Sequence, residues 1–516
     1  MSLVKYAVAN GVRARGDSLP APVKGWNARD PLDGMDPEFA PVLDNWFPQT
    51  GYLGSRRGIA AHCSSVGTTS GNTAVESVMA YRGHTTTKFL AAANGKIQNV
   101  TTAGAASSLK TGFSNNRFQH VNFNNVMIMV NGEDTPQQYD GSSVTVATYT
   151  GTVASLTATS IIAVHVFKNR LLLVEDNDNG FWYLPTSQVT GTAQRFALGE
   201  VDPQGGELVA IGTISIDGGS GFDDLAAFIM SSGSVLIYQG TDPGDANAWA
   251  LVGIYHIGPP VGRRCLVKYG GDLIVITSDG YIPLSGVLQS ARTNQALAIS
   301  DNISGAVSAA VRNFGGNFGW QPIFYPKGNM LLINVPTVEG SQARQHVMNT
   351  ITGAWCRFKG WDGICFEVHN DELYMGGKDA KVYKADTNRS DGGDLIETEG
   401  QTAYKYIGGR GMLKRFTMYR PIIATDGSVT VSVGLGVDFQ PTIPVMPQSS
   451  VGISAAEWDV ASWDVDQWTQ GLTINKGWQS ANNLGYAASM KVKTKTDSQE
   501  VRWYSTNVTY EPGGFV

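Results

Sequence analysis

The stretch NRLLLVEDNDNGFWYLP, Asn169 to Pro185, decides the fold: an apolar strand runs into a polar Asn/Asp/Gly turn, and a second strand rich in aromatics returns. The same grammar recurs in DLAAFIMSSGSVLIYQG from Asp224, GDLIVITSDGYIPLS from Gly271 and DELYMGGKDAKVYKAD from Asp371. With the strands that flank each hairpin, the units start near Ala74, Arg117, Ser160, Glu207, Arg264, Phe318 and Asp362, 43 to 57 residues apart. That is the size of one four-stranded blade of a β-propeller. The expectation is an all-β chain with a propeller of six or seven blades, seven favoured.

Helical periodicity is scarce. Its best instance is Ile303, Val307 and Val311 behind Asp301 as an N-cap, and it reads as a helical insertion near 285–314 that lengthens the fifth interval. In VMNTITGAWCRF, Gly353 suits a positive φ in the turn and Trp355 is expected as a blade anchor packing between neighbouring blades. The expected domains are an extended N-terminal arm over 1–60, a propeller over 61–400 and a smaller β-sandwich-like platform over 401–516. The arm is proline-rich with singly set aromatics such as Trp26, Trp46 and Phe47, and is expected to pack with the C-terminal domain.

Composition narrows the function. Gly makes up 61 of 516 residues and charged residues only 16%, against 42% hydrophobic, so the chain is turn-rich and able to bury cores. A net charge of −6 argues against a protein whose main work is neutralising nucleic-acid phosphates. The four cysteines are far apart, which indicates neither a disulfide scaffold nor a thiolate zinc site and fits a reducing compartment. MSLVKYAVAN is too poor in apolar residues for a signal peptide, and no apolar run approaches a membrane span.

Catalytic constellations are not found in the sequence. EDNDNG, 175–180, lacks the first and twelfth ligands of a calcium loop and reads as a hairpin turn. The seven histidines are scattered, Asp223 and Asp224 point to opposite faces of a strand, and neither G-x-S-x-G nor a P-loop occurs. No enzyme activity, metal or cofactor is expected. Arg15-Gly16-Asp17 reads as a chance triplet.

Two surface features remain. Trp458, Trp463 and Trp468 recur every five residues, a spacing that fits no regular element, so they read as a loop that either contacts another subunit or anchors on its own sandwich. KYIGGRGMLKRFTMYR, 405–420, contains Lys405, Arg410, Lys414, Arg415 and Arg420 and no acid. It reads either as a solvated edge or as a contact for a partner's acidic face or passing DNA. The interface candidates are these five basic residues with Trp26, Trp46 and the three spaced indoles.

The segments PVKGWNARDPLDGM (22–35), LDNWFPQTGYLGSRRG (43–58), ISDNISGAV (299–307), NMLLINVP (329–336), VMNTITGAWCRF (347–358) and DELYMGGKDAKVYKADT (371–387) resemble the propeller-bearing tail proteins of bacteriophages and prophages. Within that group the chain is most similar to the tail nozzle, or tail tubular protein B, of short-tailed phages. The resemblance implies a virion tail protein assembled in the bacterial cytoplasm as a ring of six below the adaptor (head-to-tail connector) ring. It would contact fibres or a needle, and genomic DNA would pass without sequence-specific binding. At 516 residues the chain is short for a nozzle. The alternatives are a carbohydrate-binding or carbohydrate-degrading propeller module of a phage tail, and a scaffold in a long-tailed phage.

Overall fold

In the computed structural model, residues 14–67, 73–152, 155–217, 222–289, 297–440, 446–449, 472–475 and 477–513 are described. The chain divides into two compact units, Arg57–Thr350 with Phe358–Gly392, and the remainder drawn from both chain ends plus Ile351–Arg357.

The first unit is a seven-bladed propeller. Its inner strands are Ser77–Arg82, Gln119–Phe123, Ile161–Phe167, Leu208–Asp217, Leu266–Tyr269, Gln321–Tyr325 and Cys365–His369. Each lies beside the next, and the seventh lies beside the first, so the ring is closed. All seven begin within three residues of the starts expected from the repeat. Blade four shows the full antiparallel meander, Leu208–Asp217, Phe222–Met230, Ser234–Gly240 and Trp249–His256. Its turn needs Gly233, at φ +90°, because a Cβ there would stand 2.2 Å from the Ile257 carbonyl oxygen.

Continuous apolar runs follow from this arrangement, because a blade is covered on both faces. Leu171 and Leu173 pack toward blade two with Ile128 and Val130, while Leu172 and Val174 pack toward blade four with Phe228 and Leu236. Successive side chains on a strand point to opposite faces, so both parities must be apolar. Burial of each such side chain contributes roughly 1.5–3 kcal/mol.

Blade seven is closed from the far end of the unit. Cys365–His369, Glu372–Gly376 and Val382–Ala385 come from its last residues, and Ile59–Ser64 adds the fourth strand with Val382 opposite Cys63 and Lys384 opposite Ala60. The helical insertion comprises Leu284–Gln289, a 3-10 turn over Asp301–Ile303 and the helix Ser304–Phe314. Asp301 is not that helix's N-cap: it lies in the preceding turn, the cap position is Ile303, and no side chain caps it.

The second unit is a β-sandwich-like platform built from strands of both chain ends. In one sheet Lys414–Thr425 lies between Val501–Pro512 on one side and Gln479–Gly485 with Thr473–Asn475 on the other; Arg15–Pro20 and Tyr52–Ser55 add to Val501–Pro512. The other sheet orders Val42–Asp44, Ile396–Gln401, Ala488–Thr496 and Thr430–Val437. Trp46 and Trp503, with ring centroids 6.1 Å apart, fill the space between the sheets. Gly400 lets the second sheet approach them, since a Cβ there would stand 3.0 Å from Trp46 and 3.1 Å from Trp503. The N-terminal segment is thus an integral part of both sheets and not only an arm laid on them.

Candidate functional site

The platform sorts the interface candidates by strand parity. Trp26 and Trp46 are buried; the Arg357 guanidinium lies 5.2 Å above the Trp26 ring and is held by Asp44 at 2.6 and 3.0 Å. Both indoles are core, which corrects their expected role on a surface. Gly353 has the expected positive φ, 71°. Trp355 is buried as expected, with its main chain against Gly25, where a Cβ would meet the Trp355 carbonyl oxygen at 2.5 Å, so its strand also holds the N-terminal segment. Trp458, Trp463 and Trp468 lie outside the described residues.

The basic stretch does not act as one surface. Lys414 is fully buried and donates to the Gly409 and Tyr486 carbonyls at 2.7 and 2.8 Å. It begins a strand flanked on both sides, so the solvated-edge reading fails for this half of the stretch. Lys405 is tied to Asp17 at 3.1 Å, which places that triplet in a paired strand. Arg410 pairs with Asp33 at 3.1 Å on the surface. Arg415, opposite Leu484 in register, is exposed, and Arg420 lies 4.8 Å above the ring of Trp478. Met418, Ile474, Trp478 and Leu484, all exposed, complete an apolar and cationic region on these strands.

The propeller encloses a cavity of about 560 Å³ lined by the inner strands of all seven blades. At one end, residues that precede the inner strands meet. Arg264 of blade five donates to the Glu76 carbonyl (3.1 and 3.2 Å), the Ser77 hydroxyl (2.7 Å) and the Phe118 carbonyl (2.8 Å), reaching blades one and two. Arg117 of blade two pairs with Glu76 at 3.1 Å and with Glu339 of blade six at 2.7 Å. Both guanidinium groups lie over the Phe318 ring, that of Arg117 4.3 Å and that of Arg264 4.9 Å from its centroid. In a ring of seven, blades five and six stand across from one and two, so this lattice reaches across the axis at that end.

Inside the cavity, His120, His165, Lys268, Asp224 and Glu367 line the wall. His165 bonds the Thr213 hydroxyl at 2.8 Å, and Asp224 accepts from Ser215 at 2.6 Å. Burial pushes both imidazoles down to about 4, helped at His120 by the charges of Arg264 and Arg82 and at His165 by Lys268. Burial pushes the Glu367 carboxyl up to about 7, against the opposing pull of Arg82 and Arg264. Sequence reasoning missed this group because its members lie far apart along the chain. The signal available was positional: all but Asp224, which lies on the second strand of blade four, sit in the first strand of a repeat unit, the strand nearest a propeller's axis.

The turn at 175–180 is the expected hairpin, with Asp178 holding Arg195. No cluster of three or more metal-ligating side chains occurs among the described residues. All four cysteines are buried, and burial pushes Cys265 and Cys365 up to about 12, which disfavours thiolate chemistry. No helix among the described residues is long and apolar enough to cross a membrane.

No family model matches the chain, and no curated protein does. Among solved structures it is similar to the computationally designed Ika8 protein, at 10% identity over 64% of this chain and 100% of that one, TM-score 0.37. It is also similar to PorZ, a surface component of the type-IX secretion system of Porphyromonas gingivalis, at 14% identity over 70% and 44%, TM-score 0.36. A third is YCF48 from Cyanidioschyzon merolae, at 12% identity over 58% and 79%, TM-score 0.26. The propeller rests on the closed ring of inner strands and not on these likenesses.

Proposed function

We propose that the chain is a structural protein of a short-tailed bacteriophage virion, a tail nozzle subunit. In this reading six copies form a ring below the adaptor, contact fibres or a needle, and surround the DNA exit path without reading its sequence. The motifs from PVKGWNARDPLDGM to DELYMGGKDAKVYKADT motivate the family. The observation that supports assembly is the platform region with Met418, Ile474, Trp478 and Leu484 exposed beside Arg415 and Arg420. Trp, Met and Arg are the residue types enriched where subunits meet, and a ring needs such a region to meet a different one on its neighbour.

Purified protein viewed by negative-stain microscopy, alone and with an adaptor, is expected to form six-fold rings. Met418→Glu with Leu484→Glu should abolish them while leaving the thermal melt nearly unchanged, because both side chains are exposed. A wild-type chain that stays monomeric with every adaptor offered would sink the proposal. The carbohydrate reading asks for aromatic faces open to the axial cavity; Phe118, Phe167 and Phe366 line it but are themselves buried, which gives that reading less support.

A further inference from the structure

We infer that the axial cavity of the propeller is a binding cup for a small oxyanion, a carboxylate- or phosphate-bearing solute, admitted from the mouth opposite the Arg264 lattice. The inference is independent of ring assembly and stands on three features of the cavity.

The first is shape. The Arg264, Phe318 and Arg117 lattice reaches across one end of what would be a tunnel and makes it a cup. Its volume of about 560 Å³ is many times the roughly 30 Å³ share of one water and falls within the range of small-molecule sites.

The second is unequal satisfaction of the polar lining. Arg264, Arg263, Asp224, His165 and Gln321 are engaged by protein partners: carbonyls, Asp176, Ser215, Thr213 and the Phe366 main chain respectively. Among the described residues His120 and Lys268 have no hydrogen-bond or ion-pair partner, and the Glu367 side chain has only the Val368 main chain. They come from blades two, five and seven, so the groups left open converge on the cup from separate directions. For His120 and Glu367, which are partly withdrawn from water, the missing partner costs free energy that a ligand recovers, while Lys268 is exposed and open to a ligand.

The third is sign. Both histidines are neutral near pH 7, so with Arg263 balanced by Asp176 the charges on the wall are Arg264, Lys168 and Lys268 against Asp224 and a Glu367 that is only partly ionised. Within a chain of net charge −6, the cup is a local excess of positive charge. An oxyanion would take the Lys268 ammonium, and an imidazole N–H of His120 or the protonated Glu367 carboxyl as further donors.

The test is calorimetric titration of the full chain at pH 7 and low salt with inorganic phosphate and, separately, with citrate. Saturable one-site binding of at least one is expected; phosphate alone or citrate alone assigns the class. Lys268→Ala should weaken that binding roughly tenfold or more, the effect of losing a charge-assisted hydrogen bond. Glu367→Gln, which keeps the shape and removes the repelling carboxylate, should tighten it several-fold. Lys268 is exposed, so its truncation should leave the melt unchanged. Absence of saturable heat with both probes, or binding that Lys268→Ala leaves intact, overturns the inference.

Discussion

Lys414 and Arg415 are adjacent in a run of basic residues and have opposite fates. Lys414 shares its strand face with Phe416, which is also buried, and its ammonium spans two carbonyls inside the platform, while the Arg415 guanidinium stays in solvent. Truncating Lys414 to Ala would leave the Gly409 and Tyr486 carbonyls unpaired and should cost about 2–4 kcal/mol. Arg415→Ala should stay within about 0.5 kcal/mol of the parent. Urea midpoints of the two variants check this, and equal midpoints would refute the buried placement. The clue was present in the sequence as parity: in K-R-F-T the lysine falls in step with the phenylalanine. Charge counting hides it, because a tally of basic residues ignores which face each occupies.

The strands were legible as elements because hairpin grammar is local: turn residues and paired apolar runs lie within about 15 residues of each other. What joins them was not. Nothing in IAAHCS, 59–64, says that it pairs with Val382–Ala385, since that pairing depends on the circumference of the whole ring. Nor does alternation show which residues it buries, because a register shift opposite Val382 and Tyr383 falls between Ala61 and Cys63. Cys63 is buried opposite Val382, and Ala61 is exposed. Cys63→Asp would place an unpaired carboxylate at the closure and should cost roughly 3 kcal/mol or more, whereas Ala61→Asp should be nearly neutral. Chemical denaturation of the two variants distinguishes them; equal stability would mean that the closing strand contributes little.

For the whole molecule, buried titratable groups oppose each other. His120 and His165 resist protonation when folded, so they add stability as pH rises from about 4 toward their ordinary value. Glu367, held near about 7, and Asp386, pushed up to about 6 by burial, hold protons more tightly when folded; each contributes stability at low pH that is lost as pH rises through its folded value. Between pH 4 and 7 these four oppose each other, while His369, also held down by burial, and Glu372 and Glu399, held low against the pull of burial by lysine hydrogen bonds, add stability as pH rises, so the parent should gain only modestly over that window. Asp386→Asn, which suits the residue's φ of +53°, should unmask a stability that climbs with pH over that window. A steep slope in the parent, or none in the variant, would refute the balance. Fold class and blade starts were readable because seven similar units repeat one local pattern. The axial cup was not, because His120, His165, Lys268 and Glu367 become neighbours only once the ring has closed. That closure also sets a schedule for synthesis. The strand at Ile59–Ser64 leaves the ribosome well before its partner, which ends at Ala385. At roughly 5–20 residues per second in a growing chain, the first blade edge waits about 16–65 seconds for its complement. During that interval the nascent chain carries an open sheet edge, so its yield in a host cell should depend on translation speed and on chaperones that shield such edges.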